Sequence, residues 1–144
     1  YSLKSIFKKK KQAMLELNAI DSAALDSMYF MSSSLSGRII NYRNKLGGFF
    51  ELSQLKIVYG IDSLVYAKIS PNLTVDSALV NRVLINKVSM EQLAKHPYFG
   101  YKLAKVICNY RLQHGPFKSK LDLKKIILIN EEIFRKIERY IDIQ

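Results

Sequence analysis

The sequence predicts an all-α chain built from two tandem copies of one helical unit, and three observations predict it. The segment His96-Pro97-Tyr98-Phe99-Gly100-Tyr101-Lys102 closes a short amphipathic run at a proline and turns through a glycine. The run that follows has apolar residues at Leu103, Val106, Ile107 and Tyr110, the spacing of one helix face. That is helix, tight hairpin, helix. Sliding the chain by 68 positions then aligns Asn18–Ile69 with Asn86–Ile137 without a gap, and 14 of the 52 pairs are identical. Leu35/Leu103, Ile39/Ile107, Phe49/Phe117 and the Asn-Tyr-Arg runs at 41–43 and 109–111 are among them, so the chain carries an internal duplication. Finally, 49% of the residues are hydrophobic, enough to build cores in both copies.

The elements follow in order. Residues 1–16 form a basic lead-in around Lys8-Lys9-Lys10-Lys11, whose end is expected to continue as helix through Ala13, Met14 and Leu15. In the first unit, 17–69, Asp21 stands where an N-cap belongs, with Ala24 and Leu25 facing inward along a helix that stops near Met28. After a hairpin at Tyr29–Ser33, a longer helix carries Leu35, Ile39 and Tyr42 to about Lys45, where Gly47-Gly48 end it and Phe49 re-enters the core. A short helix over Ser53–Val58, a second hairpin at Tyr59–Asp62 and a last helix over Ser63–Ile69 complete the unit. Residues 70–84 read as a linker: Ser70-Pro71-Asn72 breaks the helical pattern, and Leu73-Thr74-Val75 is a candidate extended segment.

The second unit, 85–142, repeats the plan. Ser89-Met90-Glu91-Gln92 matches a capping box. Gly115-Pro116 stops the long helix, Phe117 folds back, and Ser119 caps a short helix holding Leu123 and Ile126. Leu128-Ile129-Asn130-Glu131 forms the second hairpin, and Ile133, Ile137, Tyr140 and Ile141 predict a terminal helix. Units of about 55 residues are near the lower limit for a self-supporting core, so the two are expected to lean on each other.

The net charge of +11 is uneven. Residues 17–68 contribute +1, whereas residues 85–144 contribute +6, which points to a polyanion partner for the second unit. No run of 18 apolar residues is present to cross a membrane. The sequence opens on Tyr1 rather than methionine, as expected of a piece of a longer protein: extracytoplasmic and membrane-anchored if the preceding segment carries a signal or anchor, cytoplasmic otherwise. One cysteine, Cys108, excludes an internal disulfide, and its place on a helical run makes it a small core residue. His96 and His114 lack metal-ligand companions. No paired carboxylates, nucleophile-base set or phosphate-cradling glycine loop occurs at usable spacing, so neither an enzyme nor a cofactor or small-molecule substrate is expected.

Ile85-Asn86-Lys87-Val88-Ser89-Met90-Glu91-Gln92-Leu93, Pro97–Gly100, Asn109-Tyr110-Arg111, Gly115-Pro116-Phe117 and Leu121-Asp122-Leu123 together resemble the helix-hairpin-helix domain of the ComEA family of competence DNA-binding proteins. The resemblance covers 85 to about 140 well and 17–69 more weakly. It implies two tandem helix-hairpin-helix domains, each of two motifs, that hold double-stranded DNA by its phosphate backbone without reading sequence. The physics is that a hairpin feeding a helix aims unsatisfied amides outward at the positive end of the helix dipole. Carried onto this chain, the resemblance makes Phe99, Gly100, Tyr101, Lys102, Lys105 and Asn130 the candidate nucleic-acid-binding residues.

The chain departs from the family's glycine-apolar-glycine hairpin, which here reads Tyr98-Phe99-Gly100 and Leu128-Ile129-Asn130 in the second unit, and Phe30-Met31-Ser32 and Gly60-Ile61-Asp62 in the first. Gly100 keeps the phosphate-proximal place and Asn130 tolerates left-handed geometry. Asp62 sets negative charge where a phosphate belongs, which makes the first unit a structural copy. Arg43 and Arg111 are expected to bond last-turn carbonyls of their own helices rather than phosphate. The competing reading is a scaffold that has lost DNA and uses exposed Tyr98, Phe99 and Tyr101 to contact another protein or a second copy.

Overall fold

The computed structural model describes residues 14–144, so most of the basic lead-in lies outside the described residues. The all-α reading holds, and the two units repeat in register. In the first, α1 (Ser22–Asp26) and α2 (Ser33–Leu46) are followed by a 3-10 turn at Leu52–Ile57 and by α3 (Ser63–Ile69). In the second, α4 (Met90–Ala94), α5 (Gly100–His114), a 3-10 turn at Lys120–Lys125 and α6 (Glu131–Ile137) stand 68 positions on, apart from one extra residue at the start of α5. Leu35 with Leu103, Ile39 with Ile107 and Phe49 with Phe117 are buried at equivalent places.

The caps expected from sequence form. Asp21 accepts from the Ala24 amide, and the Ser89–Gln92 capping box closes the start of α4. Gly47 ends α2 in the left-handed region at φ +91°, and a Cβ there would lie 2.4 Å from the Asn81 carbonyl oxygen, so no other residue fits.

Four short strands, in two parallel pairs, are the main departure. β1 (Leu15–Glu16) pairs with β2 (Leu73–Thr74), and β3 (Val83–Leu84) pairs with β4 (Ile141–Asp142), again 68 positions apart. Leu73–Thr74 is the extended segment the sequence suggested, but the helical continuation through Leu15 is replaced by β1. Likewise α6 stops at Ile137, and Ile141 leaves the helical path because its backbone is needed for β4. Each pair zips the beginning of a unit to its end, and Leu73, within the expected linker, is buried in the first core.

Polar staples hold the same seam. The Asn86 amide donates to the carbonyls of Phe117 and Ile143, and its oxygen accepts from Phe117 N–H at 2.7 Å. Asn18 does the same with Phe49 and Asp76. Arg111 donates to the carbonyls of Ile85 and Val88, and Arg43 to those of Leu17 and Ile20. The arginines are structural, as expected, but the carbonyls they serve belong to the opening segment of the unit rather than to their own last turn. The guanidinium reaches back across the unit because that segment's carbonyls find few partners within two-residue strands.

The two units join through Tyr140, which is fully buried in the core of the first. Its hydroxyl donates to the Gly48 carbonyl and accepts from Gln54 Nε2, both at 2.8 Å. Gln54 Nε2 also donates to the Tyr98 hydroxyl, while its oxygen accepts from the amides of Phe50 and Glu51. Phe50 packs edge-on against Tyr140, and Arg139 pairs with Glu51 at 3.1 Å. Burial pushes the Tyr140 hydroxyl well above its ordinary pKa and the nearby Tyr42 hydroxyl up to about 12.

Candidate nucleic-acid interface

The hairpin that opens α5 is built on this junction. His96, almost wholly buried, lies edge-on to Phe99 and Tyr140 with centroids 5.1 Å away in each case. Its Nδ1 accepts from Tyr98 N–H, which leaves the proton of the neutral ring on Nε2. Nε2 sits beside the Leu46 carbonyl without completing a hydrogen bond to it. Tyr98 is half-buried between Tyr140, Gln54 and the Lys136 ammonium.

These contacts correct the reading of Tyr98, Phe99 and Tyr101 as one exposed aromatic patch. Phe99 belongs to the second core and Tyr98 to the junction, while Tyr101 alone of the three stands in solvent, 63% exposed. One ring is spent on the second core and one on the junction, because each unit is too small to bury its apolar surface alone.

Burial depresses the His96 pKa from 6.5 to about 4. The unfolded chain then binds the extra proton between those values, so the stabilisation is complete above pH 6.5 and drains away as pH falls toward 4. Thermal melting should therefore drop on acidification through this window, by up to about 3 kcal/mol. The His96→Gln variant should show a flatter profile. An equal slope in both proteins would place the proton uptake elsewhere.

What the hairpin leaves accessible is the start of α5. Gly100 adopts φ +68°, and a Cβ built on it meets nothing within 4 Å, so the space in front of it is open. No side chain caps this helix. Every other α-helix among the described residues is capped: Asp21, Ser32, Asp62, Ser89 and Asn130 each accept from an amide three residues on. The amides near Tyr101 and Lys102 are thus free to meet an anion, at the positive end of a 15-residue helix. Lys102 and Lys105 are exposed on its first turns.

Asn130 does not share this property. It is extended, at φ −81°, rather than left-handed, and its side-chain oxygen accepts from Ile133 N–H at 2.8 Å. Glu131 and Glu132 occupy the first turn of α6, where they repel a phosphate. The first unit's hairpins are closed in the same manner by Ser32 and Asp62. Of the six candidate residues, then, Gly100, Tyr101, Lys102 and Lys105 come together at one open helix start, Phe99 supports it from within, and Asn130 lies on a different and occupied hairpin. Sequence reasoning missed a neighbouring groove of about 740 Å³ between the units, walled by Leu46, Val83 and Val88 and lined by Lys45, Lys87 and Lys95, with no carboxylate in its lining.

A family model described as a helix-hairpin-helix motif matches residues 10–74 and again 80–142. The chain is also similar to proteins called endonuclease/exonuclease/phosphatase family domain-containing protein 1. The one from Danio rerio is 26% identical over 88% of this chain and 26% of its own length. Those from Mus musculus and Homo sapiens are 24% and 23% identical, each over 90% of this chain and 28% of theirs. The chain thus spans about a quarter of the curated relatives it matches. No solved structure matches it.

Proposed function

We propose, for a chain that belongs to the helix-hairpin-helix motif family, that it is a non-enzymatic module whose second unit holds double-stranded DNA by its phosphates, without choosing sequence. The observation that carries this is the uncapped start of α5: open amides, a left-handed glycine and two unencumbered lysines occur together there and at no other hairpin among the described residues. A phosphate oxygen seated there accepts from backbone N–H groups that are the same whatever the sequence bound, and the lysines add charge without base contacts. The likeness of residues 85–140 to the ComEA competence proteins supports the same reading.

The test is a gel-shift titration on duplex DNA at two salt concentrations. Lys102→Gln with Lys105→Gln should weaken binding about equally for any duplex sequence. It should also flatten the dependence of log K on log salt by roughly one to two units, at about 0.9 for each phosphate no longer neutralised. Arg38→Gln in the first unit should leave duplex binding nearly unchanged. Binding that persists in the lysine double variant but disappears with Arg38→Gln, or no salt-sensitive binding by the intact chain, would overturn the proposal.

A further inference from the structure

The hairpin end of the first unit has the opposite character to the α5 start. Its amides are closed by Ser32 and Asp62, yet Tyr59 is 82% exposed, Tyr29 72% and Phe30 58%. The two hairpins share one end of the unit, because Gly60 lies against Arg38 and Leu35 on the first turns of α2. Cations are poised on two of these rings: the Arg38 guanidinium lies 5.2 Å from the Tyr59 centroid, and the Lys68 ammonium 4.7 Å from that of Phe30. Phe30 is also the only non-glycine residue among those described with positive φ, +65°, a conformation an L-residue adopts only under local constraint.

Tyr29 and Phe30 meet edge to face with centroids 5.3 Å apart, so their planes present two differently oriented flat surfaces to solvent. Phe30 is the counterpart of Tyr98, which in the second unit is occupied by the junction; here the equivalent ring meets no second unit. Flat faces backed by cations match unpaired bases joined by phosphates: the bases stack on the rings, and Arg38 and Lys68 stand where the connecting phosphates run. Paired bases, stacked inside a duplex, cannot reach such rings.

We infer that this end binds single-stranded nucleic acid by stacking unpaired bases on Tyr29, Phe30 and Tyr59, with Arg38 and Lys68 neutralising its phosphates. This deepens the proposed function by giving the first unit the unpaired strand and the second the duplex, and it rests on the chain being a nucleic-acid binder.

Fluorescence anisotropy with labelled oligothymidylate and with a blunt duplex of equal length tests it on the full chain. Tyr29→Ala with Tyr59→Ala removes two solvent-facing rings, so folding is spared. This variant should weaken oligothymidylate binding roughly tenfold or more while moving duplex binding less than about twofold. The Lys102/Lys105 variant should weaken the duplex more than the single strand. Duplex binding without oligothymidylate binding by the intact chain, or equal oligothymidylate affinity in the tyrosine variant, overturns this inference and leaves the duplex reading standing. Failure of the intact chain to bind either ligand overturns both. A dimer that the tyrosine variant splits, with single-strand affinity unchanged, assigns this end to self-association and likewise overturns it.

Discussion

Phe117→Ala should cost about 3–5 kcal/mol, and Phe49→Ala about as much. Both rings are buried where the chain folds back after a helix-ending glycine, and each backbone is held by the side-chain amide of the equivalent asparagine, Asn86 or Asn18. Truncation leaves a cavity that this clamp prevents from collapsing, because Phe117 N–H and C=O are both tied to Asn86. Against a total stability of roughly 5–15 kcal/mol, such a loss brings a unit of this size close to unfolding. Denaturant melts of the two variants decide the matter: unchanged midpoints would show that the rings are not core.

Tyr140→Ala should be about as severe and should change the form of the transition as well. The ring fills the first core from a residue of the second unit, so its loss removes about 3–5 kcal/mol of packing, strands the Gly48 carbonyl and leaves Gln54 Nε2 with the Tyr98 hydroxyl alone. With the units uncoupled, melting should separate into two steps. Tyr140→Phe isolates the hydroxyl and should cost about 1–3 kcal/mol, less than additively with Gln54→Ala because the two groups share one network. A single unshifted transition in Tyr140→Ala would show that the units are coupled by other contacts.

Much of the fold was legible because the duplication supplied two readings of each signal. Glycines at 47 and 115 fixed the helix ends, and caps at Asp21 and Ser89 fixed the starts. The strands were harder to see because two residues are too few for any alternation to show, and at Ile141 a helical spacing pointed the other way. The identity of Asn18 with Asn86 was visible, whereas their partners lie more than 30 residues off. Tyr140 gave no repeat signal at all, since its counterpart is Asn72. At the candidate site the sequence marked Gly100 and its lysines; that Asn130 would spend its side chain on a cap depended on a φ the sequence leaves open.

The contact through Tyr140 is head-to-tail, joining unlike faces of two like units, and a contact of that kind generates a closed ring or an open filament if both faces persist on every copy. Two identical copies would carry that hazard. In the present sequence it is disarmed on both sides. The face that receives Tyr140 offers Gly48, Phe50 and Gln54, and the same positions in the second unit are Pro116, Lys118 and Asp122, whose carboxylate is engaged by the amides of Lys118 and Ser119. The face that inserts has lost its ring to Asn72. The divergence between the copies thus leaves no second matching pair of faces on the outer sides of the two units, much as the end repeats of a solenoid differ from the inner ones.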